Sequence, residues 1–310
     1  MPESIKVYAP ATVANVTCGF DVLGFAVNNP GDEVELKLTE KPGVIIKRIT
    51  GDNSRLSLDP MKNTAGISIY RYLKHHGIEK GVEITLHKKM PLGSGLGSSA
   101  ASTVAGVYAI SKLLGRNDSA IDLLPFAMEG ELIACGSAHA DNVAPALFGG
   151  FVLVRSYEPL DVVKIPTPAG LFATIIHPQI EVETKDARNI LPRLIPMKDA
   201  IKQWGNVGGL IAGLMLNDFP LIGRSLQDVI VEPKRAILLP GFYEAKHEAM
   251  EAGALGGGIS GSGPSIFQLS TTEETAHKVG KAMEAVYTEL GIGCEVYVSK
   301  VNTVGPVVLG

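Results

Sequence analysis

Eleven consecutive residues, Pro91, Leu92, Gly93, Ser94, Gly95, Leu96, Gly97, Ser98, Ser99, Ala100 and Ala101, carry the strongest chemical signal in the chain. The residues before them alternate, with Val82, Ile84 and Leu86 on one face, and predict a half-buried strand over 82–87. The small apolar residues after them predict a buried helix over 98–114. A glycine-rich turn from strand to helix is an anion site. The first N–H groups of a helix lack helical partners, and the helix dipole favours negative charge there. Glycines remove the Cβ atoms that would keep a phosphate from the backbone. Ser98 and Ser99 add hydroxyls where a Mg²⁺ ion bridging phosphates would sit. The spacing is neither a Walker A motif nor a dinucleotide fingerprint: no Gly-Lys-Ser/Thr ends it, and no acidic residue stands in the expected place. A bare G-x-G-x-G would more often be a flexible turn into a packed helix. The full run, in its strand–loop–helix setting, favours a phosphate loop.

The elements that must position this loop extend along the whole chain. Strands are expected at 5–9, 33–39 and 44–49, the last pairing with the second. A helix over 63–75 begins with Asn63 as its cap. Beyond the loop, Asp118 or Ser119 caps a helix running towards Ala134, and 151–154 is a short strand. A proline-rich stretch from Glu158 to Pro168 divides an N-terminal domain (1–160) from a C-terminal one (161–310). The second half holds strands at 172–176, 265–269 and 295–301, with helices within 196–216, 241–250 and 273–290. A chain of 310 residues is long for one core.

Composition narrows the function. The 35 glycines exceed the usual share of about 7%. They cluster at 93–97, 136–150 and 253–263, where backbone must turn sharply or meet a ligand. A net charge of −4 and a single tryptophan, Trp204, argue against a nucleic-acid partner. Cys18, Cys135 and Cys294 show no pairing pattern and read as buried, reduced thiols. The first residues lack a basic and apolar leader. The longest apolar run, 207–216, is about half of the ~20 residues that a membrane span needs. A cytoplasmic protein with no membrane partner is expected.

The loop resembles the phosphate loop of the galactokinase–homoserine kinase–mevalonate kinase–phosphomevalonate kinase superfamily. Further segments are similar to its homoserine kinase branch: Ala9 to Gly24, His139 to Gly150, and Glu232 to Arg235 with Leu239 to Phe242 after it. Gly257 to Pro264 matches the superfamily's C-terminal glycine motif, and the resemblance runs from residue 5 to about 300. It implies an α+β fold of two domains, the first like ribosomal protein S5 domain 2 and the second a ferredoxin-like α+β sandwich, with the site in the cleft between them. It implies ATP-dependent phosphorylation of L-homoserine to O-phospho-L-homoserine in threonine biosynthesis, with ATP and Mg²⁺ as cofactors. Members are often dimers, so a homodimer is expected.

Carried over residue by residue, the resemblance puts ATP on residues 91–101 and near Asn63 and Thr64. It puts Mg²⁺ on Ser99 and Glu131. The acceptor falls to Asn15, Asp21, His139, Thr184, Arg188, Arg235 and Gly261. A zwitterionic acceptor needs a cation for its carboxylate, which an arginine fork supplies, and an anion for its ammonium. Each residue also has a plainer reading. Arg188 would be a solvated charge, Arg235 a partner of Glu232, His139 a core histidine, Asp21 and Asn15 turn residues, and Asn63 only a cap. Glu129 competes with Glu131, and two residues so spaced do not share a helix face, so one of them points inward. Mevalonate kinase-like members carry a lysine and an aspartate as activator and base. Here those positions read Thr12 and, by ungapped register from Glu131, Asn142, with Asp141 the base if one gap is allowed. Positioning would then carry most of the chemistry, with Asn142, Asp141 and Arg188 as the catalytic set. A kinase for another alcohol and an inactive nucleotide-binding regulator are the alternatives. Asp21 beside two arginines disfavours an uncharged acceptor, and the Ser99–Glu131 pair disfavours the regulator.

Overall fold

The computed structural model describes residues 3–136 and 139–309, apart from the side chains of residues 134 and 135. The chain runs through β1 (Ser4–Ala14), β2 (Leu23–Thr39), β3 (Gly43–Thr50), α1 (Thr64–His75), β4 (Gly81–His87), α2 (Ser98–Leu113), α3 (Ala120–Cys135), α4 (Ala140–Phe148), β5 (Phe151–Tyr157) and β6 (Leu160–Ile165). It continues through β7 (Phe172–Pro178), α5 (Thr184–Asn189), α6 (Met197–Leu216), α7 (Phe219–Ser225), α8 (Glu232–Arg235), α9 (Phe242–Glu251), β8 (Gly256–Ile259), β9 (Ile266–Ser270), α10 (Glu273–Glu289), β10 (Cys294–Lys300) and β11 (Val307–Val308).

Local chemistry explains the elements around the loop. Asn63 Oδ1 accepts the N–H groups of Ala65 and Gly66 and so starts α1. Ser119, rather than Asp118, caps α3 through a reciprocal pair with Asp122. Asp118 instead accepts from Ser111 Oγ and Arg116. α2 is apolar on nearly every side and is buried on nearly every side, as its composition requires.

The first sheet has the order β11-β1-β2-β4-β3, with β5 joined to β2 and β6 to β5. Residues 44–49 were expected to pair with 33–39. They pair in parallel with β4, which itself lies against β2. Alternation reports a buried face but not which edge is paired. The stretch Glu158 to Pro168 is not a linker between two units: it holds β6, paired antiparallel with β5, so residue 160 lies inside a strand of the first sheet. The change of sheet comes between Ile165 and Phe172.

The second sheet has the order β10-β7-β9-β8 and is antiparallel throughout. In chain order this is the split βαβ arrangement of a ferredoxin-like sandwich, with α9 and α10 on one face. A small core of Ile176, Phe242, Ile266, Met283 and Tyr287 lies under those helices. The larger core crosses between the sheets. Phe25 of β2 meets Phe151 at 4.8 Å and Phe267 of β9 at 5.6 Å. Truncating a buried ring of this kind costs roughly 3–5 kcal/mol, so the two sheets are held as one body. Cys18 is buried and Cys294 half-buried, and both are free thiols; the Cys135 side chain lies outside the described residues.

Candidate active site

A cleft of about 820 Å³ opens between the two sheets, and the glycine loop forms one wall of it. Gly97 caps α2 in the left-handed conformation. The first helical bond runs from Ala101 N–H to Gly97 O, 2.8 Å. The N–H groups of Ser98, Ser99 and Ala100 therefore precede the helical ladder. Leu92, Gly93, Ser94, Gly95, Gly97, Ser98 and Ser99 line the cleft. Pro91 does not, and the Leu96, Ala100 and Ala101 side chains are packed in the core, so these side chains anchor the loop.

Both halves of the molecule hold the loop in place. Thr12 N–H donates to Leu96 O (3.0 Å), Ser260 Oγ to Gly95 O (2.7 Å) and Ser265 N–H to Ser94 O (3.2 Å). Beneath it, Lys88 and Asp32 form a fully buried ion pair. Lys88 Nζ also donates to Ser98 O (2.8 Å) and Ser102 Oγ (2.6 Å). Asp32 accepts from Ser98 Oγ (2.8 Å) and from the N–H groups of Lys89 (2.8 Å) and Met90 (3.2 Å). Buried charges are tolerated when they are partnered this completely. The pair ties both ends of the loop, where β4 leaves off and α2 begins, to β2. Ser98 was expected to offer its hydroxyl to a metal ion; that hydroxyl is engaged by Asp32 instead. Sequence reasoning passes over Asp32 and Lys88. The available signal is a lysine placed where a half-buried strand enters the loop.

The residues that the resemblance assigns to the acceptor converge on the same cleft: Asn15, Asp21, His139, Thr184, Arg188, Arg235 and Gly261 all line it. Asn15 and Asp21 lie between β1 and β2 with φ of 71° and 59°, a conformation that Asn and Asp tolerate better than other side chains do. Arg188, on α5, grips the Asp21 carboxylate with both Nη atoms, each at 3.1 Å. Asn15 Oδ1 accepts Asp21 N–H (3.0 Å), and its Nδ2 donates to Gly261 O (2.8 Å). Arg235 Nη1 donates to the same carbonyl (2.8 Å) and its Nε to Ala187 O (2.9 Å). Glu232, the other possible partner of Arg235, pairs with Lys246 at 2.6 Å. Burial, and then the charge of Arg188, hold the Arg235 guanidinium down at about 10, so it remains charged near neutrality. Phe20, which sequence reasoning missed, puts its ring 5.0 Å from the Arg235 guanidinium and 5.6 Å from that of Arg188. An aromatic face eases the approach of two cations. His139 Nδ1 is 3.9 Å from Asp21 Oδ1, and burial keeps its imidazole below the ordinary range. Thr184 Oγ1 is 3.2 Å from Ser262 Oγ.

Helices α3 and α4 supply the remaining groups. Asn142 Oδ1 accepts Thr12 Oγ1 at 2.8 Å, which fixes the amide. Asp141 is fully buried. Burial first, then the charges of Asp21 and Glu131, raise its carboxyl to about 7. Glu131 is buried in the cleft wall, whereas Glu129 faces outward and meets Arg71 at 3.7 Å. Residues two apart on a helix point roughly 200° apart, so only one carboxylate reaches the cleft. Ser99 lines the same cleft as Glu131. Among the described residues no three His, Cys, Asp or Glu cluster as a metal cage. Asn63 and Thr64 also line the cleft, and Asn63 is at the same time a helix cap.

The match to known proteins covers both halves of this cleft. The model of the GHMP kinases N terminal domain matches residues 63–150, and that of the GHMP kinases C terminal region matches 184–289. A homoserine kinase of Chlorobium phaeobacteroides strain BS1 is 52% identical over 298 residues, 93% of each chain. This chain belongs to the GHMP kinase family. Among other relatives, a homoserine kinase of Arabidopsis thaliana is 41% identical, covering 97% of this chain and 84% of that one. A crystal structure of homoserine kinase from Cytophaga hutchinsonii is 68% identical and superposes with a TM-score of 0.98, covering 100% of this chain and 98% of that one. The two-domain α+β fold expected from the sequence is that of the GHMP kinase structures. Among its described residues this GHMP kinase has no helix long and apolar enough to cross a membrane.

Proposed function

We propose that this chain transfers the γ-phosphoryl group of ATP to the hydroxyl of L-homoserine. The observation that carries the reading is the pairing of opposite charges in a cleft that also holds an open phosphate loop. Asp21 is paired with Arg188, and Arg235 lines the same cleft. Such a set suits an amino acid whose ammonium goes to Asp21 and Asn15 and whose carboxylate goes to the two arginine forks. Relatives named homoserine kinase, at 52% and 41% identity, support that acceptor.

The residues then divide the work. The N–H groups at the start of α2 hold phosphate oxygens. Ser99 and the buried Glu131 are hard oxygen donors and would hold Mg²⁺, which offsets phosphate charge when bound. Phosphoryl transfer is loose, so orientation and charge matter more than a strong base. Asn142, fixed by Thr12, orients the acceptor hydroxyl. Asp141, at about 7, is the cleft carboxyl best able to take its proton late.

The same reading carries a cytoplasmic homodimer with no nucleic-acid partner. The net charge of −4 and the free thiols of Cys18 and Cys294 support the compartment and the lack of such a partner. The exposed stripe of Met197, Ile201, Trp204 and Met215 along α6 supports the dimer. Trp204 is the sole tryptophan, so dilution of a dimer paired there would shift its emission to the red. Constant emission with a monomeric mass by light scattering would remove the dimer.

The deciding assay is ADP release with ATP, Mg²⁺ and a panel of L-homoserine, mevalonate and shikimate. Turnover confined to L-homoserine is the expected result. Arg235→Ala should then lower kcat/KM for homoserine roughly a hundredfold while leaving KM for ATP near its original value. Turnover of another alcohol alone would overturn the acceptor. ATP binding without turnover would make the protein a regulator.

A further inference from the structure

Tyr157, the last residue of β5, lies outside the cleft lining, yet its hydroxyl joins two segments that line it. The hydroxyl donates to Asp21 O at 3.0 Å and accepts Ala140 N–H at 3.2 Å. Ala140 opens α4, whose cap residue, His139, makes no side-chain capping bond. The first N–H of that helix has no helical acceptor, and a tyrosine from a neighbouring strand supplies one. At the other end, Asp21 sits at φ 59°, a conformation that costs a non-glycine residue roughly 1 kcal/mol. Both of its backbone polar groups are held, the N–H by Asn15 Oδ1 and the carbonyl by Tyr157. The tyrosine ring stands perpendicular to that of His139, with centroids 6.2 Å apart. Burial holds the phenol at about 12, so the hydroxyl keeps its proton and serves as donor and acceptor at once.

We propose that Tyr157 is a positioning residue for the acceptor substrate, fixing Asp21 relative to the helix that carries Asn142. The inference rests on the acceptor reading given above. Asp21 meets the ammonium end of the acceptor and Asn142 its hydroxyl end. One phenolic oxygen thus sets the span between the two groups that must grip one small molecule from both ends. Neither of its bonds reaches the glycine loop, so the nucleotide half of the cleft does not depend on it.

The test compares the full-length wild-type enzyme with Tyr157→Phe and Tyr157→Leu, varying homoserine and ATP separately. Tyr157→Phe removes only the oxygen and leaves the ring against His139. It should raise KM for homoserine roughly tenfold while KM for ATP stays within about twofold, since two ordinary hydrogen bonds are lost at one end of the cleft. Tyr157→Leu should show at least the same rise. An unchanged homoserine KM in Tyr157→Phe, with or without a defect in Tyr157→Leu, would overturn the assignment to the hydroxyl. Equal rises in both KM values would show general loosening and overturn the positioning role. In either case an active wild type would leave the acceptor reading standing. A wild type without turnover on homoserine would overturn that reading and this inference with it.

Discussion

Asp141 is buried at the start of α4, and the charges of Asp21 and Glu131 act on it. Its carboxyl rises to about 7 from an ordinary value near 4, with burial the larger cause. The consequence for stability has a definite sign. Between pH 4 and pH 7 the folded protein keeps a proton that the unfolded chain has released. The stabilisation from this group is therefore complete below about pH 4 and is lost as pH rises through 7. Asp141→Asn mimics the protonated form and removes the titration. Urea unfolding at pH 5 and pH 8 should show the wild type losing roughly 2–3 kcal/mol more than the variant over that interval. Parallel profiles for the two proteins would show that Asp141 ionises freely in the fold.

At the scale of elements, the glycine loop is held by contact with the second half as much as by its own sequence. A Cβ on Gly95 would lie 2.5 Å from Ser260 O and 2.8 Å from Gly263 O, both backbone atoms that cannot swing aside, and φ there is 77°. Gly93 has a similar φ of 71° but nothing within 4 Å of its Cβ position. Gly93→Ala should therefore cost only the left-handed backbone, about 1–2 kcal/mol. Gly95→Ala must also part the loop from the 260–263 segment and should weaken nucleotide binding more than tenfold, read by titration with ADP. Equal effects of the two substitutions would show that the contact with Ser260 does not shape the loop. Such elements were legible where their cause is local. Asn63 as a cap, the alternation of β4 and the small residues of α2 lie within a few positions of what they determine. What escaped was non-local. The partner of β3, the place of β6 in the first sheet, the Asp32–Lys88 pair (56 residues apart) and the Phe20 ring under Arg235 depend on tertiary pairing that no spacing encodes. The candidate site was legible because its residues lie in motifs; the way they brace one another was not.

Across the whole molecule, the proposed acceptor site exists only because two sheets share a core. Asp21 comes from a loop of the first sheet, and Arg188 and Arg235 come from helices of the second half. The chain also returns at its far end, where Asn302 N–H bonds Ala26 O and β11 pairs with β1. The two sides of the cleft are thus fixed against each other, and the Asp21–Arg188 pair spans them. A zwitterion entering there does not meet free charges. On the proposed reading its ammonium takes over part of Asp21 and its carboxylate part of Arg188, so one ion pair becomes two. Asp21→Asn keeps the shape but removes this exchange. Homoserine should lose roughly a hundredfold in kcat/KM, because its ammonium faces a neutral amide in a partly desolvated cleft. γ-Hydroxybutyrate has the same hydroxyl and carboxylate but no ammonium, and it should behave in the opposite way. In the wild type it must compete with Asp21 for Arg188 and leaves Asp21 without a counter-ion. In the variant Arg188 no longer has that carboxylate to hold it. Turnover of γ-hydroxybutyrate should therefore rise in Asp21→Asn while that of homoserine falls, and steady-state kinetics on both alcohols with both proteins measures the crossing. An equal loss on the two substrates would show that Asp21 acts only by holding its loop to Asn15 and Arg188, with no part in reading the ammonium.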